Sequence, residues 1–283
     1  MIWALKVMFD WNDGSSNLEL DHEALISKAK SIIQRAAKQG AILRLIGGLA
    51  IRNHCEIIYF CDRPYGDIDF VGLKGQRNKI RAVFETLGWQ EDRAVAQQSY
   101  GARLLFYKGT LENHIDIFLD TFDMDHRINL RDRLKLEEYT ITVSDLLLTK
   151  LQIVKINEKD VRDIITMVKD LPLSDQDKSG QINVVYLARL CSKDWGLYQD
   201  VINNIDKCLY LIKYYNLSKT EEEKVVVALK QIRDHIVHIP KSLKWKFRAI
   251  LGKRIAWHQT VEGAPLTLSD IRNELREHDQ TTS

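Results

Sequence analysis

Leu45-Ile46-Gly47-Gly48 and Gly66-Asp67-Ile68-Asp69-Phe70 are the two ends of the stretch on which the fold reading turns. An apolar run ends on a glycine pair, and a second apolar run carries two aspartates one residue apart. In a strand, residues two apart face the same way with Cα atoms ~6.5–7 Å apart. Asp67 and Asp69 therefore share one side, while Ile68 and Phe70 face the core. Glycine lets the chain turn tightly and lets the backbone come close to a ligand. Leu49 to His54 then read as the opening turns of a helix, whose free N–H groups and positive end suit a phosphate.

Asp116 lies further on, in His114-Ile115-Asp116-Ile117-Phe118, bracketed by two isoleucines. It either completes a three-carboxylate cation site with Asp67 and Asp69 or pairs with a nearby arginine. Acids facing one another inside a sheet are costly unless a cation neutralises them. Asp120 shares the side of Asp116 but sits at the strand end. Around these residues the chain reads as follows. A helix capped by Asp21 runs to about Gln39, a strand covers Ala41 to Ile46, and residues 57–60 are a short strand or the end of the next helix. After a loop to Gly66 come a strand from Asp67 to Gly72 and a helix from Gln76 to Leu87. Two strands, 103–107 and 114–119, turn about Gly109 as a hairpin. This order gives an α/β (α+β) core: a mixed sheet flanked by helices.

Beyond Thr142 the pattern is helical. Ser144 is read as the cap of a helix to about Ile156, and Asn157 as the cap of the next, with Asp160 in its first turn. On a helical wheel Lys150 falls among Leu146, Leu147, Leu151 and Val154. A lysine there needs water, a phosphate or a carboxylate at its tip. Asp160 borders the apolar stripe of its helix, whereas Asp163 is expected in solvent. Pro172 and the polar run 174–180 mark a boundary between a mixed-sheet domain, 1–172, and an all-helical domain, 173–283. The latter is expected to hold helices at 181–192, 197–215, 220–238, 241–257 and 267–278. The run from Lys241 to Trp257 alternates basic and aromatic residues and reads as an amphipathic helix with a basic exterior rather than an RNA contact.

Bulk properties set bounds. The 283 residues are 45% hydrophobic and 28% charged, enough for a sizeable core, and a net charge of +2 gives no global attraction to nucleic acid. The four cysteines form no metal-ligand spacing, and reduced core thiols are expected. The first ten residues are too short and interrupted for a signal peptide, and no apolar run reaches the ~20 residues that span a bilayer. A cytoplasmic protein with no membrane partner is the expectation.

With these residues in place, the chain resembles the nucleotidyltransferase superfamily, in particular the branch of AbiEii-type toxins and related nucleotidyltransferase-like proteins. The matching pieces are Gly47-Gly48-Leu49-Ala50-Ile51-Arg52, Asp67-Ile68-Asp69-Phe70 and Ile115-Asp116-Ile117, then Leu146 to Lys150 and Lys159 to Asp163. They cover residues 40–170. The glycine pair stands where the wider superfamily has Gly-Ser, and the interval from Gly48 to Asp67 is longer than in its polymerase-like members.

The resemblance implies a catalytic and metal-binding set of Asp67, Asp69 and Asp116 holding Mg²⁺, or Mn²⁺ in its place. It implies a nucleotide-binding set of Gly47, Gly48, Arg52, Lys150 and Asp160. The implied reaction moves a nucleoside monophosphate from a nucleoside triphosphate, such as ATP, to an acceptor hydroxyl on tRNA, protein or a small molecule. A toxin of this kind would have a cognate antitoxin. The alternative is a non-catalytic nucleotide- or partner-binding protein on the same scaffold.

Overall fold

The computed structural model describes residues 22–55 and 67–258. The expected cap at Asp21, the segment 57–60, the loop up to Gly66 and the helix at 267–278 lie outside the described residues. Two compact units emerge. Among the described residues the first comprises 22–53, 67–122 and 129–141, and the second 54–55, 123–128 and 142–258.

The first unit opens with α1 (His22–Lys38), whose Leu25, Ile26, Ala29, Ile32, Ile33 and Ala36 form a buried stripe at helical spacing. Then come β1 (Leu43–Ile46), α2 (Gly47–His54), β2 (Ile68–Gly72), α3 (Arg77–Thr86), β3 (Gln90–Asp92), α4 (Arg93–Gln98), β4 (Arg103–Lys108) and β5 (Thr110–Leu119). The five strands make one mixed sheet in the order β1-β2-β5-β4-β3. β2 and β5 are parallel, and the other neighbours are antiparallel. The expected hairpin is present, with Gly109 at φ 81° between β4 and β5.

Strand alternation sorts the side chains onto two faces. Leu43, Leu45, Ile68, Phe70, Leu104, Phe106, Ile115 and Ile117 share one face and are all buried. Phe84 of α3 stacks on Phe106 with ring centroids 4.5 Å apart and meets Phe70 edge-on at 6.4 Å. Asp69 and Asp116 stand on the opposite face, because they are one residue out of phase with this core set. The outer edge of β1 is covered: Leu45 N–H donates to Tyr139 O, and Ile141 N–H to Leu45 O.

Two short strands, β6 (Thr121–Asp123) and β7 (Arg127–Asn129), precede the helices. The second unit holds α5 (Val143–Leu151), α6 (Glu158–Asp170), β8 (Leu173–Ser174), β9 (Ile182–Asn183), α7 (Val184–Cys191), α8 (Trp195–Leu211), α9 (Lys219–His238) and α10 (Leu243–Leu251). α5 and α6, read from sequence as part of the sheet domain, thus cluster with the C-terminal helices. The polar run 174–180 is a short excursion between the parallel pair β8 and β9.

Side-chain caps set most helix starts in this unit. Asn157 caps α6 as expected. α5 is capped by Thr142 instead of Ser144, whose hydroxyl accepts a bond from Asn183 N–H at 2.7 Å. Ser218 and Glu221 form a reciprocal capping box on α9, a device worth ~1 kcal/mol. The basic exterior expected for 241–257 is corrected: Leu243, Phe247 and Ile250 of α10 are exposed beside the lysines. Arg248 turns its guanidinium to the carbonyls of Gly252 and Ile255.

Candidate functional site

The β1–β2 register sets Ile46 opposite Asp69, and the β2–β5 register sets Asp69 opposite Asp116. Gly47 therefore follows directly from the residue paired with Asp69. Its φ of 80° lies in the left-handed region that favours glycine. A Cβ at Gly47 would stand 3.0 Å from Asp69 Oδ2, so this carboxylate rests against a bare backbone. α2 starts at the same glycine. On that helix Arg52 is half-buried, and its Nε is buried with no hydrogen-bond acceptor among the described residues.

Arg103 of β4 completes the cluster. It sits one diagonal step from Asp116, since Leu105 is the direct partner of Asp116 and Arg103 that of Phe118. Nε donates to Asp116 Oδ1 at 2.6 Å, and Nη2 donates to Oδ2, a fork that engages both carboxylate oxygens. The guanidinium also lies over the Phe118 ring, 5.4 Å from its centroid. The hydrogen bonds to Asp116 hold the Arg103 pKa above its ordinary value, burial opposes them, and the charges of Asp116 and Asp69 add to the rise.

Asp67 lies just before β2 and is exposed. Asp120, at φ 65°, is engaged elsewhere, where it accepts from Lys74 N–H at 3.0 Å and pairs with Arg131 at 3.0 Å. Among the described residues no three His, Cys, Asp or Glu side chains stand together so as to hold a metal ion. Of the expected set, Gly47, Asp69 and Asp116 are brought together, and the position of Gly48 follows from that of Gly47.

Lys150 and Asp160 belong to the second unit. The Lys150 ammonium lies 2.7 Å from Asp160 Oδ1 and 2.9 Å from Asp163 Oδ2. A carboxylate pair thus meets its tip. Asp163, expected in solvent, is 3% exposed, because α6 turns both aspartates toward α5. Burial pulls the Lys150 pKa down, but Asp163 and Asp160 together outweigh it and leave the pKa raised.

Sequence reading left Arg103 unnamed, although it allowed for an arginine on Asp116. Its signal is faint, a cation at the start of the apolar strand Leu104-Leu105-Phe106. A strand register is needed to connect it with an acid thirteen positions away.

No family model matches the chain. No curated protein matches it either. Among solved structures, the solution structure of the antibiotic-resistance factor ANT(2'')-Ia aligns over 51% of this chain and 82% of its own, at 14% identity and a TM-score of 0.34. Such a score describes a loose likeness of layout and transfers no residue role.

Proposed function

We propose that this protein is a nucleotidyltransferase whose reaction centre lies on the acid-bearing face of the five-stranded sheet. The observation that carries the reading is the juxtaposition of the Gly47-Gly48 turn with the register-paired Asp69 and Asp116. A backbone bared by glycine at the start of a helix admits phosphate oxygens to free N–H groups. Arg52 Nε, buried without an acceptor among the described residues, supports the same ligand, since a buried donor is normally satisfied.

Asp67 and Asp69 supply the hard oxygen donors that Mg²⁺ or Mn²⁺ prefers, and in that sense the residues fit the ion. They would hold it, and when bound it would supply positive charge to the triphosphate. Asp116, with both oxygens on Arg103, is not available to an ion in this arrangement. Its assigned part is to take the proton of the acceptor hydroxyl once a ligand has drawn Arg103 away. The hydroxyl oxygen then forms a bond to the α-phosphorus, the bond from that phosphorus to the bridging oxygen breaks, and pyrophosphate leaves. A triphosphate is a natural competitor for the guanidinium, because phosphate accepts the same fork.

Incubation with each of the four α-labelled nucleoside triphosphates, Mg²⁺, total RNA, lysate protein and an aminoglycoside tests the proposal. Label is expected on one acceptor class. Asp69→Asn should lower it by roughly 10²–10³-fold, as for loss of an electrostatic group at a transition state. Equal labelling by wild type and variant refutes the assignment. The acceptor classes under test are tRNA, protein and small molecule, and a toxin acting on tRNA would be neutralised by its antitoxin. One observation favours the non-catalytic alternative: Arg103 already neutralises Asp116, so the acid pair is stable without a metal. That reading predicts nucleotide binding by calorimetry and no label on any acceptor.

A further inference from the structure

A second place in the molecule has the makings of a binding site, and it lies wholly within the helical unit. A cleft of about 410 Å³ opens between the 125–127 segment, the start of α8, α10 and the 256–258 segment. Its walls include Trp195, Trp245 and Trp257, and its cations include Arg127, Lys193 and Lys244. Lys193 and Lys244 make no ion pair among the described residues, and Arg127 has only a distant contact, 3.8 Å, with Asp123. The two carboxylates in the lining are occupied by backbone: Asp125 accepts from Val154 N–H at 2.8 Å, and Asp194 caps α8 through Leu197 N–H at 3.0 Å. With Arg248, whose guanidinium is held by the Gly252 and Ile255 carbonyls, four cations stand against these two carboxylates, and the lining carries net positive charge.

Its aromatic wall is held in place from behind. Asp200, 4% exposed, accepts the Trp257 indole N–H at 2.9 Å, and the same oxygen lies 2.7 Å from His126 Nε2. Trp257 also meets Trp195 edge-on, with centroids 5.9 Å apart. A Cβ at position 196 would come within 2.7 Å of Trp257 O, so only glycine lets this segment seat itself. The Trp245 indole N–H is buried and has no hydrogen-bond acceptor among the described residues. The cleft thus combines a fixed indole wall with four lining cations, of which Arg248 already lies over the Trp195 ring, 4.7 Å from its centroid.

We infer that this cleft binds a nucleotide unit, its phosphate held by Lys193, Lys244 and Arg127 and its base stacked on an indole face. A simple polyanion has no use for the indoles, and an apolar ligand none for the cations. A phosphate joined to an aromatic base uses both. The unit could arrive as a free nucleotide or within single-stranded RNA. The inference stands on the helical unit alone and does not depend on the transfer reaction proposed above.

Fluorescence anisotropy of the full chain with a labelled single-stranded RNA octamer, competed with adenosine monophosphate and with an abasic ribose-phosphate octamer, tests it. K193E/K244E is expected to weaken RNA binding at least tenfold and to lower the salt slope by about 0.7, for the one phosphate that the two lysines hold. K178E/K230E, with the same change in net charge on exposed positions outside the lining, should bind as wild type does. Circular dichroism and thermal unfolding establish that both variants are folded. RNA outcompeting the monophosphate identifies the source as RNA, and the reverse identifies a free nucleotide. No binding by wild type, equal loss in the two double variants, or equal affinity for the abasic octamer overturns the inference.

Discussion

Two clusters in this protein set a pair of aspartates around one cation, and they differ in what surrounds them. On the sheet, Asp69 and Asp116 share the field of Arg103, whose side chain is 45% exposed and which flanks a glycine-bared turn. In the helical unit, Asp160 and Asp163 close on Lys150, whose side chain is 14% exposed. The helical cluster joins two packed helices, and its two aspartates are buried. The sheet cluster retains an exposed cation that can exchange its partner. The same charge count therefore serves structure in one place and suits ligand exchange in the other. Burial and neighbours decide which.

The largest effect should come from breaking the closed cluster. Lys150→Ala leaves two buried carboxylates without their cation and is expected to cost roughly 3–5 kcal/mol in urea unfolding. A loss under about 1 kcal/mol would show that water reaches these acids and that the two clusters are alike. Next comes Gly47→Ala, which forces a side chain into φ 80° and against Asp69 Oδ2. About 1–3 kcal/mol of destabilisation is expected, measured by the same titration, together with loss of transfer activity.

Arg103→Gln should cost less than Lys150→Ala, about 1–2 kcal/mol, because solvent screens the exposed guanidinium side of the pair. It should also raise Mg²⁺ affinity in calorimetry by freeing Asp116. Unchanged affinity would mean that the open cluster is not a cation site. The smallest effect is one of pH. The Lys150 pKa is raised in the folded protein, so its stabilisation is fully present below the unfolded value near 10.5 and is lost as pH rises through the folded value. The stability gap between wild type and Lys150→Met should be flat from pH 7 to 10 and narrow above that. A gap that narrows between pH 7 and 9 would contradict the raised pKa.

Much of this was legible in the chain. The alternation of Ile68, Phe70, Ile115 and Ile117 with Asp69 and Asp116 announced strands with one apolar face, because pleat geometry has a period of two. The helix α6 was legible from its stripe and from the cap Asn157, and α9 from its helical pattern over 220–238. Ser144 misled as a cap because a buried serine can serve a distant backbone N–H as readily as its own helix. Asp163 misled because α6 is buried on more of its circumference than one stripe implies.

Local order, binary pattern and the Gly47-Gly48 turn are properties of neighbouring residues, and the sequence alone determined them. It also located Asp69 and Asp116 as acids out of place in apolar strands. Which strand lies beside which was decided only by the tertiary structure. Register, not sequence distance, set Asp69 beside Asp116 and Gly47, and a diagonal step across β4 brought Arg103 to the acid. The wall of Trp257, Asp200 and His126 was likewise beyond sequence reading, since its members come from three distant segments and meet only when the helices pack.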